Sequence, residues 1–136
     1  MALFLHFIVA LYRMQNGAES IQANFADLDS RTTGSNASLT PEGGNSGTVL
    51  VYKEGKATTI YFVALNGKGG GGNDSTILTI PNGYRPPASF EVLVGSADRS
   101  ALNSAQISIG ADGSVKWRRN SNYASEYTFA VTFVRA

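Results

Sequence analysis

The chain has 136 residues, of which 43% are hydrophobic, and its 11 basic and 10 acidic residues give a formal net charge of +1. This size suits one folded domain with a small appendage, and the weak charge gives no reason to expect nucleic acid or a membrane as a partner. Because the chain has no cysteine and only one histidine, His6, we expect no disulfide, no metal centre and no cofactor. The same composition excludes most hydrolase chemistry.

The first 11 residues form an almost wholly apolar run. The first cation, Arg13, follows this run instead of preceding it, which is unlike a secretory signal peptide. The run is also shorter than the roughly 20 residues that a membrane-spanning helix needs. We therefore expect an apolar anchor that packs against another chain or another part of this one.

A helix is predicted over residues 17–29. Asn16 is a good N-cap, and Glu19 completes a capping box three residues later. Apolar side chains then recur at spacings of four and three, as in a short coiled-coil seam: Met14, Ala18, Ile21, Phe25 and Leu28. Two heptads do not hold an isolated helix together. The stripe therefore packs on the β domain or meets its own copies.

The chain after the helix divides into a linker and a β domain. Residues 31–47 are rich in Gly, Ser and Thr and are predicted to link residues 1–30, the anchor and helix, to residues 48–136. Seven β-branched or alternating segments with turn residues between them predict strands in the second part: 48–53, 57–65, 76–80, 89–94, 105–109, 114–119 and 126–134. The predicted fold class is mainly β, with a short N-terminal helix followed by an antiparallel β-sandwich or barrel.

Alternation within these strands predicts the core: Ile60, Phe62, Leu78, Ile80, Val92, Val94, Ile107, Ile109, Phe129 and Val131. Asp112-Gly113 predicts a tight hairpin turn. The glycine tract at 69–72 lacks the Lys-Ser/Thr and the following helix of a phosphate-binding loop, so we expect a mobile loop there.

Two segments resemble proteins of phage tails. The segment Tyr12–Gln22, with Asn24, Phe25 and Leu28, resembles the N-terminus of receptor-binding proteins from tailed phages of lactococci and related Gram-positive bacteria. In that family an Asn-Gly-Ala-Glu core opens a helix that trimerises and docks into the baseplate. The segment Leu78–Pro86 and the hairpin Ile109–Val115 resemble the ends of many tail and fibre proteins.

The resemblance implies adhesion instead of catalysis. It implies a homotrimer, bundled through Met14, Ala18, Ile21, Phe25 and Leu28, that attaches the virion to a host cell-wall saccharide. The N-terminus would dock on other baseplate or tail proteins, which places the protein at the tail tip and, on attachment, outside the host cell. Two alternatives stay open: a structural tail protein without receptor contact, and a polysaccharide-cleaving tail protein using carboxylates such as Glu91 and Glu126.

Candidate saccharide-binding residues follow from the chemistry of sugars. A pyranose has one apolar face and a rim of hydroxyls, so its sites pair an aromatic ring with planar polar side chains. The best candidates lie at or near one loop: Arg118, Arg119, Asn122 and Tyr123, with Trp117 and Asp98 behind them. Trp117 is also in phase with Val115, so the alternative places its indole in the core.

Overall fold

The computed structural model describes Gly17 and residues 21–24, 34–69, 71–96 and 102–136. The chain divides into two units, Met1–Thr33 and Gly34–Ala136. In the first unit Gly17 and residues 21–24 are helical, which agrees with the predicted helix, and Ile21 is 58% exposed. The other four residues of the predicted stripe lie outside the described residues: Met14, Ala18, Phe25 and Leu28.

The second unit contains eight strands in two four-stranded antiparallel sheets. Sheet 1 has the order β1-β2-β3-β8, with strands Ser35–Leu39, Ser46–Glu54, Ala57–Asn66 and Glu126–Val134. Sheet 2 has the order β4-β7-β6-β5, with strands Thr76–Thr79, Ser114–Asn120, Ser104–Ile109 and Phe90–Gly95. The predicted mainly β fold and its antiparallel pairing are confirmed, and the two sheets form a sandwich.

The inner faces of both sheets share one hydrophobic core. The predicted core positions behave as expected: Ile60, Phe62, Leu78, Ile80, Val94, Ile107 and Ile109 are buried, and Val92, Phe129 and Val131 are partly buried against them. Rings also meet across the sandwich, since the centroids of Trp117 and Tyr127 lie 5.9 Å apart. The alternation of one residue inward and one outward therefore sets which side chains fill the space between the sheets.

The predicted linker over residues 31–47 is wrong in part, because Ser35–Leu39 within it form strand β1. Ser35–Leu39 pair in antiparallel register with β2, so that Leu39 lies opposite Val49 and Ala37 opposite Val51. The segment has few residues with a strand preference, which is why its sequence did not predict a strand. Its pairing depends on the neighbouring strand β2, which has a strongly apolar inner face.

Two of the register shifts between paired strands lie in β3 and β7. In β3, Val63 and Ala64 together lie opposite the single residue Thr128 of β8, between the pairs Phe62–Phe129 and Leu65–Tyr127, and Ala64 adopts a φ of 53°. In β7, Arg118 is the inserted residue between the pairs Ile107–Trp117 and Gln106–Arg119. Bulges of this kind re-aim the side chains that follow them.

The predicted hairpin turn at Asp112-Gly113 is present. Gly113 has a φ of 91°, and its N–H donates to the Gly110 carbonyl at 2.9 Å. In the part of the chain that the structure describes, no helix is long and apolar enough to cross a membrane.

Candidate functional site

Trp117 forms the floor of one end of the sandwich. Its indole is fully buried, and Nε1 donates to Asn45 Oδ1 at 2.8 Å. The Tyr123 ring packs edge-on against it with a centroid separation of 5.7 Å. Because the indole has no exposed surface, the core interpretation of Trp117 is the correct one, and Trp117 offers no face to a ligand in this structure.

The end of the glycine-rich loop is fastened to β7 and to the loop after it. The Asp74 N–H donates to the Trp117 carbonyl at 2.5 Å, and the Trp117 N–H donates to the Ser75 carbonyl at 3.1 Å. The Tyr123 hydroxyl donates to Asn73 Oδ1. Residues 73–75, which follow the glycine tract at 69–72, are therefore held in place by hydrogen bonds.

Arg118 is exposed and ion-paired on both sides. Its Nε donates to Glu91 Oε1 at 3.0 Å, and its Nη1 pairs with Asp74 Oδ1. These carboxylates raise the pKa of the guanidinium above its ordinary value, with the charge of Asp74 as the largest cause. Arg118 therefore has its charge balanced by its own neighbours before any ligand arrives.

Arg119 lies beside a groove on the outer face of sheet 2. The groove has a volume of about 220 Å³ and is lined by Leu93, Ser104, Ala105, Gln106, Arg119, Asn120 and Ser121. Leu93 is 74% exposed and supplies an apolar surface. Among the described residues, the Arg119 side chain has no ion-pair or hydrogen-bond partner. The groove thus combines an unpaired cation, neutral polar groups and an apolar patch.

The other predicted candidates that the structure describes do not line the groove. Asn122 uses its side chain in its own turn, since Oδ1 accepts from the Ala124 N–H at 3.0 Å. Tyr123 is half-buried, and burial is the largest cause of its raised pKa, followed by the charge of Asp74. Asp98 lies outside the described residues. Among the predicted candidates that the structure describes, only Arg119 lines the groove, with Arg118 beside it on the same strand.

Sequence reasoning missed the groove residues Leu93, Ser104, Gln106 and Ser121. The alternation in β6 places Gln106 on the outer face, which is a usable indication. A regular register that continues back from the hairpin would pair Ile109 with Val115, Ile107 with Trp117 and Gln106 with Arg118. The bulge shifts the pairing by one residue, so that Gln106 faces Arg119 instead. Nothing in the residue pattern of β7 indicates this change of register.

A second surface lies on the outer face of sheet 1. Leu50, Tyr52, Tyr61 and Val63 line an open depression of about 300 Å³, which we term the tyrosine face. The two tyrosine rings meet edge to face at 5.6 Å and are each more than 40% exposed. Apolar side chains that stay exposed side by side on a sheet indicate a contact surface.

The described residues show no metal centre, since no group of three or more acidic or histidine side chains among them is placed to hold an ion. The site is a shallow groove with polar and apolar walls on the outer face of sheet 2.

Comparison with solved structures finds a similar fold in a phage protein. The crystal structure of the receptor binding protein gp15 of Listeria phage PSA is similar, with a TM-score of 0.64 over 89% of this chain and 77% of that chain. The two sequences are 13% identical, so the likeness shows a shared fold. No protein-family model matches the chain, and no curated protein matches it in sequence. The neighbour is of the expected kind, a phage receptor-binding protein, and gives no support to a lactococcal origin.

Proposed function

We propose that this chain is a receptor-binding protein of a phage tail and that it binds a saccharide of the host cell surface in the groove beside Arg119. The observation that carries the proposal is the unpaired Arg119 guanidinium in a groove of neutral polar groups. The fold shared with the Listeria phage receptor binding protein supports the same conclusion.

The groove residues match what a sugar ring offers. Hydroxyl and amide groups of Ser104, Gln106 and Ser121 exchange hydrogen bonds with sugar hydroxyls, and Leu93 packs against the apolar face of the ring. The guanidinium of Arg119 presents a planar set of donors, which suits an acidic substituent such as phosphate as well as neutral oxygens. Arg118 does not compete for the ligand, because Asp74 and Glu91 already hold it.

A homotrimer is part of the same proposal. A shallow polar groove binds weakly, because water competes for its hydrogen bonds and the side chains must be ordered. Several linked copies raise the effective concentration of sites at the cell surface. The tyrosine face and the exposed Ile21 of the helix are the surfaces we assign to self-association, and the N-terminus is the part we assign to docking on other tail or baseplate proteins.

The experiment measures attachment of purified protein to Gram-positive cells and to a glycan array. We expect the wild type to bind at least one saccharide, and Arg119→Ala to reduce its affinity by about tenfold, since a hydrogen bond from a charged group contributes about 1.5–3 kcal/mol. The control is Lys116→Ala, which removes a cation from the same strand without touching the groove. Equal binding by wild type and Arg119→Ala would reject the groove as the site.

The same assay separates the two alternatives. A structural tail protein without receptor contact would bind no cell and no glycan on the array. A polysaccharide-cleaving protein would release reducing ends from the bound glycan, whereas we expect none.

A further inference from the structure

Arg118 and Glu91 form an ion pair outside the groove, and Glu91 also binds the side-chain amide of Gln106, which lines the groove. Arg118 Nε donates to Glu91 Oε1 at 3.0 Å, and Glu91 Oε2 accepts from Gln106 Nε2. Gln106 lines the groove next to Arg119, whereas Arg118 and Glu91 do not line it. We term the contacts Arg118–Glu91–Gln106 the polar relay.

The Glu91 carboxylate decides which end of the Gln106 amide faces it. An ionised carboxylate only accepts hydrogen bonds, so the amide has to turn its NH₂ group toward Glu91. The carbonyl oxygen Oε1 of the Gln106 amide is then not bound to Glu91, and among the described residues it has no hydrogen-bond partner. Gln106 therefore offers the groove an acceptor with a fixed position.

We propose that the polar relay sets the hydrogen-bond polarity of the groove, with Arg119 as its donor and Gln106 Oε1 as its acceptor. This inference rests on the proposed function and names the ligand it favours. That ligand is a saccharide unit with a hydroxyl that donates to Gln106 and a neighbouring oxygen that accepts from Arg119. Arg118 and Glu91 are positioning residues, because they act on the ligand through Gln106.

The bulge in β7 is what makes this arrangement possible. It inserts Arg118 into the strand and pairs Gln106 with Arg119, so two consecutive arginines take different tasks. Arg118 binds the carboxylates Asp74 and Glu91, and Arg119 stays unpaired among the described residues. Without Glu91 the amide would sample both orientations and present its acceptor for only part of the time.

A double-mutant cycle on the full-length chain tests the relay. The probes are galactose, N-acetylglucosamine and glucose 1-phosphate, titrated into ¹⁵N-labelled protein and followed by NMR. We expect Glu91→Gln and Arg118→Ala each to weaken binding by about threefold to tenfold, the range of one hydrogen bond. In a Gln106→Ala background each change should add less than about twofold, since the residue they act through is gone. Glu126→Gln, which removes a carboxylate on the other sheet, is the matched control and should leave binding unchanged.

The same spectra give a reading that needs no ligand. The side-chain NH₂ signals of Gln106 should move in Glu91→Gln and Arg118→Ala and stay in place in Glu126→Gln. If Arg118→Ala loses the dispersed spectrum of a folded protein, Arg118→Lys replaces it. This variant keeps the charge and should give an intermediate loss of binding affinity.

The outcomes distinguish the relay from the proposed function. Losses that persist in full in the Gln106→Ala background, or Gln106 signals unmoved by Glu91→Gln, would overturn the relay and leave saccharide binding standing. A wild-type protein that binds none of the three probes at the groove would overturn the relay's role in recognition, and an empty glycan array would overturn the proposed function itself.

Discussion

Asn45 joins three parts of the sandwich through one buried side chain. Its Nδ2 donates to the Glu42 carbonyl at 2.7 Å and to the Thr76 carbonyl at 3.3 Å, and its Oδ1 accepts from Trp117 Nε1. The side chain thus ties the β1–β2 loop to the start of β4 and satisfies the buried indole. These contacts fix the Trp117 indole, which lies under Tyr123 and the glycine-rich loop.

We expect Asn45→Ala to lower the free energy of unfolding by about 2–3 kcal/mol, because the buried indole N–H and a backbone carbonyl lose their partner. Urea denaturation measures the change. Asn36→Ala, at an exposed position on β1, is the control and should have a small effect. Equal losses in the two variants would contradict the role given to Asn45.

Gly67 leaves no room for a side chain beside the same indole. A Cβ at this position would lie 2.9 Å from Tyr123 Cδ1 and 3.0 Å from Trp117 Nε1. We expect Gly67→Ala to destabilise the protein by about 1–3 kcal/mol through overpacking. Gly95→Ala, where a Cβ meets nothing within 4 Å, should leave the unfolding midpoint unchanged or raise it slightly.

Asp112 gives the sandwich a pH-dependent contact. Its Oδ1 accepts from the Ser114 N–H at 3.0 Å, the largest cause of its lowered pKa, and from Ser114 Oγ at 2.7 Å. A carboxyl with a lowered folded-state pKa stabilises the fold above the unfolded pKa of about 3.9, and this contribution is lost as pH falls through the folded value. Asp112→Asn keeps an acceptor but removes the charge.

The melting temperatures of wild type and Asp112→Asn test this contact. We expect their difference to be constant above about pH 5 and to shrink as the pH falls below about 4. A difference that stays the same from neutral pH down to pH 3 would show that the charge contributes nothing.

The strands differ in how much of them the sequence pattern predicts. The seven predicted strands are all present, because each carries its own alternation or β-branched run. Strand β1 was missed, since Ser35–Leu39 become a strand only through pairing with β2. The bulge at Arg118 was missed for the same reason, as it depends on how β6 and β7 meet. Arg118 and Arg119 were therefore predicted as site residues, but the sequence did not predict which of the two lines the groove.

Strand β1 should contribute to stability although it is an edge. Leu39 packs against the core from this strand, and β1 covers the outer backbone edge of β2. We expect a fragment of residues 41–136 to be less stable than residues 34–136 by about 2 kcal/mol, the order of burying one leucine. Thermal unfolding followed by circular dichroism compares the two fragments, and equal midpoints would show that β1 is dispensable.

The two surfaces assigned to self-association belong to separate units of the chain. Ile21 is an exposed apolar residue of the helix, and Tyr61 is an exposed residue of the tyrosine face. Burial of both in a homotrimer would remove exposed apolar surface from water, which favours association. It would also give each particle several grooves for its weak ligand.

Light scattering of the intact protein at micromolar concentration should give three times the mass of one chain. A charge at either contact should reduce that mass, because it would be buried without a partner; the variants are Ile21→Asp and Tyr61→Asp. Their controls are Gln22→Asp on the helix and Ser108→Asp on the outer face of sheet 2. A monomer mass for the wild type would rule out the trimer.

Whether the groove beside Arg119 receives a saccharide is measured most directly by NMR shift mapping of the assigned protein with the strongest glycan from the array. We predict shifts concentrated at the groove, with the largest at Leu93, Gln106, Arg119 and Ser121, and a titration midpoint about tenfold higher in Arg119→Ala. Shifts confined to the tyrosine face, or none at saturating glycan, would contradict saccharide binding at this groove.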